Sequence, residues 1–340
     1  MTMLFMKKKY QLERFFVTWL MILFMILTDA FTAFAQVKQA TFLVNGISCD
    51  LEQGILKVEF VTPDVVRVQY TGENTFIGNG TDVCLPRAVD NPVRWVYTPN
   101  PDCYLLKSDS LIVRVDLSTA SITYLDKEGG LLLQEDQNIP RISEKRVTKQ
   151  VIYDEHSKHI EKTADGDKEI KNVLRYDTIG HTWKYRINFK WQPLEALYGW
   201  GAHMEDYMNL RGKELYLCQH NLKAMVPVLN STAGYGLLFD AGCAMMFKDN
   251  SEGSFVELEA AKQIDYYFMK GKTMDAVVAN YRLLTGNSPM MPLYLFGYIQ
   301  SKERYVSSDD LINTLKEYRQ RQIPIDMIVQ DWNYWPEGQW

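Results

Sequence analysis

The 340-residue sequence has little of what marks several common function classes. It has no basic block, and its formal net charge is −5, so the phosphate neutralisation that nucleic-acid binding needs is missing. It has no GxSxG elbow, no P-loop and no GxGxxG, which leaves acyl-transfer, nucleotide and dinucleotide chemistry without support. Cysteine is sparse: Cys49, Cys84, Cys103, Cys218 and Cys243 are odd in number and widely spaced. No CxxC or Cys/His cluster reads as a zinc site, and a chain of this length does not need disulfides to fold. One bridge and a set of free thiols both stay open. Histidine is scarce too. His156 and His159 fall in a Lys/Glu/Asp-rich stretch over 143–175 with no third soft ligand nearby, so they read as part of a solvated hairpin rather than a metal site.

What the sequence does have is an ordinary globular balance, 46% apolar and 23% charged, which excludes disorder over the whole length. The length suggests about two domains. Aromatics are plentiful, with 20 Tyr, 15 Phe and 8 Trp. They serve core packing first, but Tyr and Trp also make flat amphipathic surfaces that suit sugar rings.

The N-terminus carries a local signal. Lys7, Lys8 and Lys9 precede an apolar run from Phe15 to Thr28, and Ala33-Phe34-Ala35 then offers a small-x-small cleavage site. That layout predicts a secretory signal peptide over 1–35. The run is short of the ~20 residues a spanning helix needs, and no stop-transfer cluster follows. We therefore expect a secreted or periplasmic protein with no membrane span after cleavage.

From Gln36 to about Leu133 the grammar is β. Ile55–Val61, Val65–Tyr70, Leu111–Leu117 and Ser121–Leu125 alternate apolar and polar residues between Pro, Gly and Asp punctuation, which predicts an antiparallel sandwich. Strand-like runs resume at Trp183–Phe189, Gly234–Phe239 and Ile264–Met269. After Gly271 the period changes. Thr273 is placed to cap a helix over 274–284 that Gly286 ends, and 287–292 reads as a linker. Leu293–Gln300 reads as a buried strand. Ser307 caps a second helix with Asp310 at the capping-box position. Ile323–Asp331 reads as another buried strand, and strand, helix and strand make one βαβ unit. The expected division is a sandwich over 36–272, a helical linker over 273–291, and the start of a (β/α)8 barrel over 292–340.

Chemistry concentrates at the end of that unit: Asp331-Trp332-Asn333-Tyr334-Trp335-Pro336-Glu337. In a β/α barrel the site lies at the C-terminal ends of the strands, where Asp331 falls. Carboxylates beside Trp faces suit a pyranose, which offers hydroxyls to hydrogen-bond and a C–H face to stack on. The bland alternative is a turn-capping Asp and core aromatics.

A family resemblance adds to this. Trp200-Gly201 through Lys213 resembles the N-terminal sandwich loop of glycoside hydrolase family 31, where a YGxGxH segment runs into an N-x-RGK turn. Gln219-His220-Asn221, Val226-Pro227 and Ser231 through Leu238 resemble that family's next block. Met291 through Gly297, Gln300-Ser301, Arg304-Tyr305, Tyr318-Arg319, Ile323–Asp326 and Val329–Trp332 resemble its barrel entry. Two positions depart from the pattern: Tyr207 stands where Gly is usual, and Phe239-Asp240-Ala241 replaces a Trp-Asp-Asn-like run.

The resemblance implies a galactose-mutarotase-like antiparallel β-sandwich followed by a TIM barrel, here its first βαβ unit. It implies retaining hydrolysis of α-glycosides, of α-xylosidase or α-glucosidase type, by two aspartates and without a cofactor. The substrate would be an oligosaccharide with α-linked xylose or glucose. By the same resemblance Asp331 hydrogen-bonds sugar hydroxyls, Trp332 and Trp335 line that pocket, and Asn221 and His220 form a wall. His203 would be structural. No segment matches the family's W-x-D-x-x-E nucleophile motif, so no catalytic residue is assigned, and this chain alone is expected to be an inactive, truncated portion with a poorly ordered C-terminal segment. A non-catalytic carbohydrate-binding or interaction module is the alternative. A sandwich sugar epimerase is weaker, because it needs a His/Glu pair in a cleft.

Overall fold

The computed structural model describes residues 36–78, 83–85, 92–163, 166–206 and 208–334. The proposed leader, Tyr207 and Trp335 lie outside the described residues. In chain order the strands are β1 (Val37–Phe42), β2 (Gly46–Leu51), β3 (Ile55–Thr62), β4 (Val65–Thr71), β5 (Trp95–Thr98), β6 (Cys103–Ser108) and β7 (Leu111–Asp116). Next come β8 (Ile122–Asp126), β9 (Leu131–Glu135), β10 (Arg141–Tyr153), β11 (His159–Thr163), β12 (Gly166–Ile170), β13 (Val173–Lys190) and β14 (Leu197–Ala202). The last are β15 (Glu214–Leu217), β16 (Ala224–Ser231), β17 (Tyr235–Phe239), β18 (Met245–Asn250), β19 (Gly253–Ala261), β20 (Ile264–Lys270), β21 (Ile299–Lys302) and β22 (Met327–Gln330), with helices α1 (Met274–Thr285) and α2 (Ser308–Gln320).

The chain forms two compact units, one of 1–146 with 181–286 and one of 147–180 with 287–340. The first is a sandwich of two antiparallel sheets. One sheet runs β1-β2-β3-β4-β20-β17-β16-β14, and the other runs β15-β18-β19-β13-β9-β8-β7-β6-β5, with β10 also on β13. The alternation seen in the sequence is the cause. Leu56, Val58 and Phe60 of β3 and Leu111, Val113 and Val115 of β7 are all but inaccessible, while the residues between them reach the surface. Trp183, Tyr185, Ile187 and Phe189 of β13 face the same core.

Among the strands that break the alternation, β17 and β20 do so for a local reason. They are buried on both faces because α1 covers the outer side of their sheet. Val277 and Leu284 of α1 pack there against Val65, Leu238, Tyr267 and Met269. The helix starts and stops where the sequence said: Thr273 Oγ1 accepts from Ala276 N, and Gly286 lies past its end with φ +89°.

The core also holds polar groups that periodicity does not reveal. Glu135, fully buried, accepts from Ile122 N at 2.9 Å, from the Tyr266 hydroxyl at 3.0 Å and from Arg141. Tyr124 and Tyr266 share a further bond at 3.0 Å. A buried carboxylate in this apolar setting is costly without such partners.

In the second unit, 147–180 is a ribbon. A 3-10 turn, Glu155–Ser157, leads into β11, which pairs with β12. His156 and His159 are exposed there, and His159 Nδ1 meets the Ser157 carbonyl at 3.0 Å. Separately, β21 and β22 pair in parallel, joined by α2, whose cap is Ser307 as expected. The βαβ unit is therefore present, but its strands are shorter than the sequence suggested. Leu293–Phe296 forms a 3-10 turn after Pro292, and strand structure starts only at Ile299. Gln322 at φ +57° and Pro324, which has no N–H for a ladder, delay β22 to Met327. Several apolar residues expected to be buried here are open, Leu293 at 87% and Phe296 at 76%, while Ile325 is buried.

Candidate functional site

The residues singled out by sequence fall into two groups, one per unit. In the sandwich, β14 carries the Tyr198-Gly199-Trp200-Gly201 run as a bulge against β16. Three successive residues have positive φ: 126°, 63° and 93°. A Cβ on Gly201 would lie 1.8 Å from the Ala224 carbonyl oxygen and one on Gly199 2.2 Å from that of Val228, so both positions require glycine. The bulge turns Trp200 fully into the core, where its ring lies 5.7 Å from that of Phe239 and 5.9 Å from that of Phe247. His203 follows, its Nε2 at 2.7 Å from the Trp200 carbonyl, which fixes the exit of the strand.

The turn at Arg211-Gly212-Lys213 is a structural clamp. Arg211 donates to Asp249 Oδ2 at 2.9 Å and to the carbonyls of Gln192 and Glu195 at 2.9 and 3.1 Å. Gly212 N donates to the same Asp249 oxygen at 2.7 Å. These bonds, with one from the Ser254 hydroxyl, hold the Asp249 carboxyl below its ordinary range although burial pushes the other way.

His220 and Asn221 sit on the exposed loop between β15 and β16. Gln219 organises that loop. Its Nε2 donates to the carbonyls of Lys223 at 2.5 Å and His220 at 3.2 Å, and its Oε1 accepts from Met225 N at 3.0 Å. Lys223 is tied to Glu205, and that bond draws the Glu205 carboxyl below its usual value. His220 Nδ1 is hydrogen-bonded to the Asn221 carbonyl. Leu222, in the left-handed region at φ +75°, projects from the tip and is 74% exposed. The structure thus presents His220, Asn221 and Leu222 outward on a pre-formed loop. Sequence reading named the first two; Gln219 as organiser and Leu222 at the tip needed the backbone to be seen.

In the second unit, Asp331 directly follows β22 and is exposed, with its N–H directed at Lys302 O at 3.3 Å. The C-terminal ends of both parallel strands therefore meet beside it, where a β/α unit keeps its chemistry. Trp332 is adjacent and 37% exposed, and Tyr334 N donates to the Trp332 carbonyl at 3.0 Å. Behind them Gln300 Oε1 accepts from the Tyr298 and Tyr318 hydroxyls at 2.5 and 2.7 Å, tying β21 to α2. Gly297 is needed for the same packing, since a Cβ there would lie 2.0 Å from Asp326 Oδ2. Asp331, Trp332 and Tyr334 thus follow one another at these strand ends, each exposed.

Among the described residues, no group of three His, Cys, Asp or Glu could hold a metal ion. None of the five cysteines is in a disulfide. Burial pushes Cys49 up to about 12 and Cys84 to about 11, so neither is a thiolate nucleophile at neutral pH. No described helix is long and apolar enough to cross a membrane.

An antiparallel sandwich that runs into a parallel βαβ unit with polar residues at its strand ends fits a mutarotase-like leading domain followed by the start of a β/α barrel. Comparison with known proteins agrees. Residues 55–247 match the glycosyl hydrolase 31 N-terminal galactose mutarotase-like domain, and residues 288–340 match the glycosyl hydrolases family 31 TIM-barrel domain. The chain belongs to glycoside hydrolase family 31. An α-xylosidase of Saccharolobus solfataricus is 28% identical over 294 residues, covering 84% of this chain and 35% of that protein. A Flavobacterium johnsoniae family 31 dextranase, solved with isomaltotriose, superposes with a TM-score of 0.68 at 21% identity, over 90% of this chain and 34% of that one. A soil-metagenome family 31 α-xylosidase, solved with xylose, gives 0.66 at 22%, over 88% and 42%. The chain spans about a third of the length of the curated α-xylosidase it matches.

Proposed function

We propose that this chain is the N-terminal portion of an exported, retaining α-glycoside hydrolase of α-xylosidase or α-glucosidase type acting on oligosaccharides. The observation that carries the reading is the position of Asp331 and Trp332 at the C-terminal ends of parallel β21 and β22, in a chain whose preceding residues match the family 31 sandwich domain. In this proposal Asp331 accepts hydrogen bonds from sugar hydroxyls and Trp332 stacks on a ring face. His220 and Asn221 are substrate-contacting groups carried by the sandwich loop, and Trp335 is assigned to the pocket of Asp331 by the family resemblance. Hydrolysis with retention would use two carboxylates roughly 5–5.5 Å apart, one as nucleophile and one as acid/base. Neither is assigned to a residue of this sequence. Export rests on the Lys7–Lys9 and Ala33-Phe34-Ala35 pattern.

The test uses native protein captured from its source cells with an antibody to the sandwich. Its intact mass, N-terminal residue and rates on aryl α-xyloside and α-glucoside are measured, with Asp331→Asn made in the chromosomal gene. The proposal expects cleavage after Ala35, hydrolysis of one of the two glycosides, and a loss in kcat/KM of about 10²-fold or more for Asp331→Asn, since a buried sugar–carboxylate bond is worth ~3 kcal/mol. Sugar binding without hydrolysis of either glycoside would instead favour the carbohydrate-binding module.

A further inference from the structure

The 18-residue strand β13 outruns its neighbours. One of its edges is taken by β9, at Phe189 and Lys190, and then by β10; Asn188 bonds to both Asp136 and Pro140 on that side. The other edge pairs with β19 only from Phe189 back to Trp183. Among the described residues no strand pairs that edge over 173–181. Its flanking side chains are apolar and open: Val173 is 45% exposed, Leu174 58%, Tyr176 60% and Ile179 61%. The segment has no Pro and no Lys to blunt it. A long free edge of this kind is a template for another strand.

The sequence of the edge selects the strand. Two copies related by a two-fold axis perpendicular to the sheet can pair antiparallel only in registers centred on a residue, because opposite residues must point to the same face. Centred on Arg175, the register opposes Arg to Arg; centred on Asp177, it opposes Asp to Asp. Centred on Tyr176, it opposes Arg175 to Asp177 twice, Val173 to Ile179 twice, Leu174 to Thr178 twice and Tyr176 to itself. Arg175 Nε and Asp177 Oδ1 already lie 2.9 Å apart within one strand, so the two charges share a face and the pair of strands would assemble an alternating four-charge cluster. Opposite-charge and apolar cross-strand pairs are the unit of sheet stabilisation.

We propose that the 173–179 edge binds the same edge of a second copy of this chain, antiparallel and centred on Tyr176. This interface is independent of the glycosidase reading.

Sedimentation velocity on the whole chain and disulfide trapping test it together. The chain should show a concentration-dependent dimer. Asp177→Arg should weaken it by about tenfold or more, because like charges then face one another. The exchange Arg175→Asp with Asp177→Arg keeps the net charge and the intrastrand pair, and should restore affinity to within about threefold. Tyr176→Cys should trap a covalent dimer under mild oxidation. Leu174→Cys and Thr178→Cys should each fail alone and succeed when mixed, all judged against the unchanged chain with its own five cysteines. Far-UV circular dichroism checks that each variant is folded. A monomer at ~100 µM, a dimer indifferent to Asp177→Arg, or Thr178→Cys trapping itself as readily as Tyr176→Cys would each overturn the proposal.

Discussion

Replacing Arg141 by Met should reveal what the buried ion pair at the sandwich centre does. The Arg141 and Glu135 side chains are 3% and 0% exposed. Arg141 donates to Glu135 and, at 3.0 Å, to the Ala120 carbonyl, and it lies 5.8 Å from the Tyr70 ring centroid. Met keeps most of the volume, so the loss is chiefly electrostatic. Removing one partner of a buried pair costs about 3–5 kcal/mol, against a typical domain stability of about 5–15 kcal/mol. Urea unfolding followed by Trp fluorescence measures it. The pH profile gives a second readout. Burial already pushes the Glu135 carboxyl above its usual value, and Arg141 is the main influence pulling it down. In the variant that pull is gone, so Glu135 is protonated in the folded state over a wider range. A group whose folded pKa is raised adds stability that is complete below the unfolded value and lost as pH rises through the folded one. The variant should therefore lose more stability than the parent as pH climbs from the ordinary carboxylate range towards neutrality. Adding Glu135→Gln removes the stranded charge, keeps an amide oxygen to accept from Ile122 N and lets the amide NH2 donate to the Tyr266 oxygen, and should recover more than half of the loss. A change below about 1 kcal/mol, or pH profiles parallel to the parent's, would refute the reasoning.

Other expectations follow from the same kind of accounting. Gly201→Ala should lower Tm by several degrees in a thermal melt, since a Cβ meets the Ala224 carbonyl at 1.8 Å and φ is +93°, a strain of about 1–3 kcal/mol. Arg211→Lys should cost about 1–3 kcal/mol in urea unfolding, because an ammonium cannot span Asp249 and two carbonyls at once. The lowered Asp249 value means its share of stability is present above the ordinary carboxylate range and lost as pH falls below it; in Arg211→Lys that acid-side loss should shrink, as acid titration of the fold will show. Hydrogen exchange should find β17 and β20 protected most strongly. β21 and β22, a two-stranded parallel pair with open apolar neighbours, should exchange far faster.

Signals that act over a few residues are legible in this sequence, and those that act over long separations are not. Alternation in β3, β7 and β13 named core-facing residues directly, because a strand places every second side chain on one face. Thr273, Gly286 and Ser307 marked helix ends through bonds made within a few residues. The block Trp200 to Lys213 was legible as a pattern, yet its reason was not: the glycines serve a bulge against β16, and Arg211 serves Asp249 far along the chain. The same holds for Asp331, which the sequence could place at a strand end without saying what stands beside it.

By itself the sequence determined much of the local order: the alternating strands of the sandwich, where the helices start and stop, and that an antiparallel region gives way to a βαβ unit, though not the 3-10 turn over Leu293–Phe296 or the late start of β22. Those outcomes depend on periodicity and capping, which act over a few residues. Only the tertiary structure decided that α1 lies on β17 and β20, that Glu135, Arg141 and Tyr266 meet in the core, that Gln219 shapes the loop of His220 and Asn221, and that one edge of β13 is left open. Each of these depends on residues tens to more than a hundred positions apart, or on the backbone's own hydrogen bonds. Burial supplies the energy for such meetings, and sequence spacing carries no record of them.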